Sequence, residues 1–140
     1  MPDNNPLIAR LQGISRLATF NNWLGLEITH AAPGEVELQL RWRAEFGQYN
    51  GFLHAALVGG LIDTACGFAA TTQAGDLLAS QFSVRCLRPA RARVFRVRGR
   101  VVKPGRLQIF TAAELIDADG DDNKPFAVGE ALLVPVGERG

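Results

Sequence analysis

The chain has 140 residues, 47% of them hydrophobic and 21% charged, which suits one domain with its own core and excludes a disordered polymer. The net charge is only +1, so the overall balance gives no pull toward nucleic acid or an anionic membrane. The two cysteines, Cys66 and Cys86, each lie in an apolar stretch and read as buried thiols in a reducing compartment, small core hydrophobes and not a disulfide scaffold.

In chain order, MPDNNPLIAR is polar and lacks the apolar run of a signal peptide. Residues 1–5 are expected to be a loose tail. Pro6 suits a first helical position with Asn5 as cap. Leu7, Ile8, Leu11, Ile14, Leu17 and Phe20 recur at helical spacing, so the pattern predicts one amphipathic helix over 6–20, ended by Asn21-Asn22. Alternation over 24–29 and 35–42, either side of Ala31-Ala32-Pro33-Gly34, predicts a hairpin. Residues 43–53 read as a loop. Residues 55–72 have helical length, no proline and apolar residues nearly all the way round, so this helix is expected to be buried on every side. Strands are predicted over 80–87, 93–102, 107–116 and 125–136, separated by Pro89, Pro104-Gly105 and Asp119-Gly120. Residues 137–140 form a second tail.

One buried helix beside a run of antiparallel strands implies an α+β layer arrangement, a sheet wrapped around that helix, in a single domain over 1–140. The longest low-charge run, 54–78, holds Asp63 near its middle. A central Asp would cost about 2.5–3.5 kcal/mol in a bilayer, so no membrane span is expected, and the cytoplasm is the expected compartment.

Asp63 carries the most information. It is the sole charged side chain between His54 and Ala70. Its helical neighbours at three and four residues are Gly59, Gly60, Cys66 and Gly67, which leave room for a ligand or another backbone. A buried, unpaired carboxylate is costly, and it serves either chemistry or a structural hydrogen bond. His54 precedes the helix as a cap or loop anchor. The first turn, Ala55-Ala56-Leu57, offers N–H groups at the positive end of the helix dipole, able to stabilise an oxyanion. At ~1.5 Å rise per residue, Ala55 and Asp63 are about 12 Å apart along the axis. One carbonyl cannot touch both in one chain. If they share a substrate, they come from two subunits of a dimer.

Gln48-Tyr49-Asn50-Gly51-Phe52-Leu53-His54, with Asp63 nine residues beyond the His, resembles the signature of PaaI-like hot-dog thioesterases. The strand ending Leu87-Arg88-Pro89-Ala90 and the turn Pro104-Gly105-Arg106 are similar to the same family's, so the likeness spans roughly residues 20–136. The resemblance implies a hot-dog fold and hydrolysis of an acyl-CoA thioester, with no metal and no cofactor beyond the coenzyme A of the substrate. It implies a homodimer or a dimer of dimers. Asp63 would be the general base or the nucleophile, the Ala55 N–H the oxyanion hole, and Gln48 a holder of the carbonyl or the water. His54 stands at the His of the motif. Ser80 stands beside the position, Ala79 here, where the family has a water-orienting hydroxyl. The family's His-Gly-Gly is His54-Ala55-Ala56. Ala55 is harmless as a first helical residue but strained if a positive φ is needed.

Arg85, Arg88, Arg91, Arg93, Arg96, Arg98, Arg100, Lys103 and Arg106 fall in one stretch without Asp or Glu. Most read as a solvated strand face. Arg88 and Arg91, at a strand end near the site, are the candidates for coenzyme A phosphates. Asp117, Asp119, Asp121 and Asp122 around Gly120 lack the twelve-residue calcium pattern and read as a polar hairpin turn. Scattered His and Cys give no zinc site, and no nucleic-acid partner is expected. Two other readings remain open at this stage: a hot-dog hydratase or dehydratase, which would need the His54 ring in the site, and an acyl-CoA-binding protein without turnover.

Overall fold

The structure, a computed structural model, describes residues 5–136. The expected tails, 137–140 and all of 1–5 except Asn5, lie outside the described residues. Asn5 is held firmly. Its Oδ1 accepts the Leu7 N–H at 2.8 Å, capping helix α1 (Pro6–Ser15), and its Nδ2 donates to the Ala31 carbonyl at 2.7 Å.

The helix expected over 6–20 is two helices. α1 stops at Ser15, and α2 (Thr19–Leu24) follows after a turn over 16–18. Asn21 and Asn22 do not end a helix but lie inside α2 and hold the turn before it. Asn21 Nδ2 donates to Ser15 Oγ at 3.2 Å and Asn22 Nδ2 to the Arg16 carbonyl at 2.8 Å. Gly25, at φ 69°, ends α2 in the left-handed conformation that favours glycine. Leu24 therefore belongs to α2, and strand β1 (Glu27–Ala32) begins later than the alternation suggested. Ala31 and Ala32, read as turn, are strand: Ala32 pairs with Glu35, the first residue of β2 (Glu35–Arg41), across Pro33-Gly34.

Helix α3 (Ala55–Thr71) and strands β3 (Leu77–Cys86), β4 (Val94–Lys103), β5 (Ile109–Asp117) and β6 (Ala127–Pro135) complete the chain. All six strands form one antiparallel sheet in the order β1-β2-β4-β5-β6-β3. The sheet curves around α3, whose Leu61, Ile62, Ala65 and Cys66 are essentially inaccessible and meet Leu38, Phe95, Val97 and Leu115. Burial of each such large side chain is worth about 1.5–3 kcal/mol. The helix can sit this low because β4 presents Gly99 beneath it. A Cβ there would lie 2.5 Å from the Ala65 carbonyl oxygen.

Two expectations about burial are corrected. α3 is not enclosed on every side: Ala55 and Ala56 are exposed, and Gly59, Gly60, Asp63 and Gly67 remain partly accessible. Small residues count as apolar in the pattern but are too short to draw a covering layer down onto the helix. Cys66 is buried as expected, and burial pushes its thiol up to about 11. Cys86 is exposed: it borders an open cavity together with Ala55 and Val58 of α3. Most of β3 is exposed too, and among the described residues it has a strand partner, β6, on one edge only. No helix is long and apolar enough to cross a membrane among the described residues.

Candidate active site

The segment before α3 is fixed by backbone hydrogen bonds. Gly47 bridges to Leu53, Gln48 N–H donates to the Phe52 carbonyl at 2.8 Å, and His54 N–H donates to the Phe46 carbonyl at 2.9 Å. Leu53 N–H reaches the Ala90 carbonyl at 2.9 Å and ties this segment to the β3–β4 connection. Gly51, at φ 80°, makes the reversal. Phe46, fully buried, anchors the whole segment.

These bonds deliver His54 as the cap of α3. Its Nδ1 accepts the Ala56 N–H at 2.9 Å, so the ring's other nitrogen carries the proton in the neutral form. The Leu57 and Val58 N–H groups both go to the His54 carbonyl, at 2.9 and 3.1 Å. The Ala55 N–H alone in this turn has no partner among the described residues. Ala55 is the first helical residue, and no non-glycine residue has a positive φ among the described residues. Its methyl group is therefore accommodated without strain. Gln48 Oε1 accepts the N–H of Asn50, which leaves its amide NH₂ free to donate. Two unengaged donors thus border one opening.

Gln48, His54, Ala55 and Arg88 line the same cavity of about 580 Å³, whose walls are mainly apolar, among them Phe52, Leu53, Val58 and Phe126. Cys86 also lines it. Arg88 lies over the Phe126 ring at 4.4 Å and donates to the Lys124 carbonyl. Arg91 stacks over Phe52 at 4.9 Å and does not itself line the cavity. Arg93, Arg96 and Arg98 are engaged elsewhere: Arg93 with Asp119 at 3.1 Å, Arg96 with Glu37 at 3.6 Å, and Arg98 with Glu114 at 2.5 Å and Asp122 at 3.2 Å. The aspartates of the β5–β6 turn also accept local N–H groups, Asp119 N–H to Asp117 and Asn123 N–H to Asp121, as a polar hairpin requires.

Asp63 and Ser80 do not line this cavity. Asp63 projects from the accessible stripe of α3, more than two turns from Ala55. It makes no hydrogen bond or ion pair with any described residue, and burial pushes its carboxyl up from the ordinary aspartate value. The structural alternative, an aspartate satisfied by backbone or hydroxyl, is thereby removed within the chain. Ser80 sits in the bulge of β3 between Ala79 and Gln81 and is exposed.

One residue had no signal in the sequence. Arg43 packs against two rings that touch each other edge to face, 5.3 Å from Trp23 and 4.2 Å from Phe46. It donates to the Trp23 carbonyl at 2.6 Å, and its Nε forms an ion pair with Glu45 at 2.8 Å without a directed hydrogen bond. It clamps α2 to the segment that carries Gln48 and His54. A lone arginine among loop residues offers no pattern from which that role can be read.

Comparisons with known proteins identify the family. The family model described as the thioesterase superfamily matches residues 50–123, just over half of the chain. A thioesterase family protein from Silicibacter pomeroyi is 31% identical, with a TM-score of 0.86 over 94% of this chain and 99% of the other. The PaaI protein of E. coli, from the phenylacetic acid degradation operon, shares the fold at 18% identity and a TM-score of 0.85, covering 94% of each chain. A protein of Saccharolobus solfataricus named a "putative esterase" is 27% identical over 100 residues, 70% of this chain and 71% of that one. With the family match covering the end of that loop, the cap and α3, the chain belongs to the thioesterase superfamily and carries its PaaI-like hot-dog fold.

Proposed function

We propose that this protein is an acyl-CoA thioesterase whose site is composed across a homodimer. The carrying observation is the unpaired, partly desolvated carboxylate of Asp63 on the open stripe of α3. At ~1.5 Å rise per residue, it stands about 12 Å along the axis from the free Ala55 N–H. A partner chain placing its own α3 antiparallel beside this one would bring its Ala55 and Gln48 donors opposite Asp63. The exposed edge of β3 and the apolar side chains it leaves uncovered, Phe82 among them, support an isologous pairing there. A dimer of dimers is compatible with the same edge.

In the hydrolytic form, Asp63 takes a proton from water while the hydroxide oxygen adds to the thioester carbonyl carbon. The oxygen that gains charge is held by the Ala55 N–H and the Gln48 amide of the other subunit. The C–S bond then breaks, and the coenzyme A thiolate recovers the proton from Asp63, leaving the free acid. In the alternative form, Asp63 attacks the carbonyl carbon itself, the C–S bond breaks to release the coenzyme A thiolate, and water opens the resulting anhydride, giving the free acid and a proton that the thiolate takes up. Ser80, in its bulge, is placed to orient the water only if the partner folds over that strand. Arg88 and Arg91, at the rim, are the donors for coenzyme A phosphates. Water is the sole co-substrate, and no metal or added cofactor enters these steps.

The test is Asp63→Asn, assayed for thiol release on a panel of acyl-CoAs, with the oligomeric state measured by analytical ultracentrifugation. Loss of general-base action should lower kcat by about 10²–10⁴-fold in a dimer that remains folded. Unchanged turnover on the best substrate removes the chemistry, and a fully active monomer removes the composite site.

A further inference from the structure

We infer that Phe20 of α2 and Phe82 of β3 wall the acyl half of the site, that they select uncharged apolar acyl groups, and that Phe20 resting on Gly60 limits acyl size. The inference rests on the thioesterase reading and goes on to name the acyl class. With about 3.6 residues per turn, successive residues on a helix are about 100° apart. Asp63 therefore falls in azimuth between Gly59 and Gly60, one turn further along. Helical side chains lean toward the helix N-terminus, so the carboxylate lies back over the Gly59-Gly60 turn.

That turn is flanked by the two rings. The Phe82 Cε2 lies 3.7 Å from where a Gly59 Cβ would be, and the Phe20 Cε2 and Cζ lie 3.7 and 3.8 Å from where a Gly60 Cβ would be. Neither ring belongs to the core: Phe20 is 44% and Phe82 48% exposed. Trp23, with its ring 6.2 Å from that of Phe20, extends the same wall. The Arg43 clamp fixes Trp23, and so the wall, to the segment carrying Gln48.

A carbonyl carbon in attack range of Asp63 or its water sits about 3–3.5 Å from the attacking atom. The next carbons of the acyl group then lie against these rings. Apolar carbons there lose water contact and gain ring contact. An acyl chain ending in its own carboxylate would meet two apolar rings and a second carboxylate, with no cation paired to Asp63 among the described residues.

The experiment measures thiol release by wild type, Phe20→Ala and Gly60→Val across straight-chain acyl-CoAs from acetyl to palmitoyl, with succinyl-CoA against butyryl-CoA as the charged and uncharged pair. A hydrophobic contact of one to a few methylenes is worth about tenfold or more in kcat/KM. Wild type should favour butyryl over succinyl by at least about tenfold on that scale. Phe20→Ala should move the preferred chain to longer acyl groups, and Gly60→Val, which crowds the ring, to shorter ones. Gly60→Ala, whose methyl meets Phe20 at ordinary contact distance, provides a milder version should valine disturb the helix. A folded Phe20→Ala dimer with the wild-type chain-length profile overturns the inference, as does equal use of succinyl-CoA and butyryl-CoA. Absence of thiol release from every acyl-CoA by wild type overturns the thioesterase reading, and the inference falls with it.

Discussion

Gly99→Ala tests how α3 is seated, and through it how Asp63 is placed. The added Cβ would lie 2.5 Å from the Ala65 carbonyl oxygen, 2.7 Å from its carbon and 3.1 Å from the Ala65 Cβ. Ordinary heavy-atom contact is about 3.5–4 Å, so roughly 1 Å of separation must be found. The obstacle is helix backbone in the middle of α3, held by buried Leu61, Ile62 and Cys66, and no side chain can turn aside. Overpacking costs about 1–3 kcal/mol, and a backbone obstacle puts this case at the upper end. For a domain of this size each kcal/mol shifts Tm by about 3–5 °C, so a fall of about 10 °C is expected. Ala65 is two residues from Asp63, and a carboxylate displaced by ~1 Å costs about 10²-fold in rate. Gly13→Ala is the control. Gly13 lies in α1 with nothing within 4 Å of its would-be Cβ, and alanine there should add about 0.5–1 kcal/mol. Both variants are followed by thermal unfolding in circular dichroism and by kcat/KM. A Gly99→Ala protein melting within about a degree of wild type would refute the reasoning, since that difference is far below the expected overpacking cost.

Burial raises the Asp63 pKa, so the acid limb of the pH profile of kcat/KM should lie above the range of an ordinary aspartate; a limb at the ordinary value contradicts the role of Asp63 as base. The same shift has a sign for stability. The folded pKa exceeds the unfolded one, so the contribution of Asp63 favours folding at low pH and is lost as pH rises through the folded pKa. Asp63→Asn should therefore raise Tm at neutral pH, with the gain shrinking on acidification. Arg43→Ala removes two ring contacts and a charged hydrogen bond, for a loss of about 2 kcal/mol. Arg43→Lys should recover less than half of that, because an ammonium cannot lay a flat face against the Trp23 and Phe46 rings while donating to the Trp23 carbonyl; a lysine variant as stable as wild type argues against the stacking. Arg88→Ala and Arg91→Ala should each raise KM for an acyl-CoA about tenfold, the scale of one charged contact, with kcat little changed. They should leave the corresponding acyl-pantetheine, which lacks the nucleotide, unaffected.

Much of the fold is legible in local patterns. The alternation of β4, β5 and β6 and the length of α3 place those elements within one or two residues of where they occur. Asp63 is visible as a lone charge in an apolar helix, and His54 as the residue before it. Other features depended on contacts between distant residues. The apolar spacing of α1 runs on into α2 unbroken, and the break between them comes from Asn21 and Asn22 reaching back to Ser15 and Arg16. Cys86 sits in an apolar stretch, yet it is exposed because it borders an open cavity beside the start of α3.

By itself the sequence determined the periodicities, the turn residues and the chemistry of the single charge on α3, because each depends on neighbours within a turn of helix or two residues of strand. Only the tertiary structure decided which sides of those elements are covered. It showed that α3 keeps an open stripe, that the Ala55 N–H alone of its turn has no partner among the described residues, and that Phe20 and Phe82 close on Gly60 and Gly59, one turn before Asp63. Coverage is set by which residues, far apart in the chain, the sheet brings over the helix, and a hydropathy pattern carries no record of that.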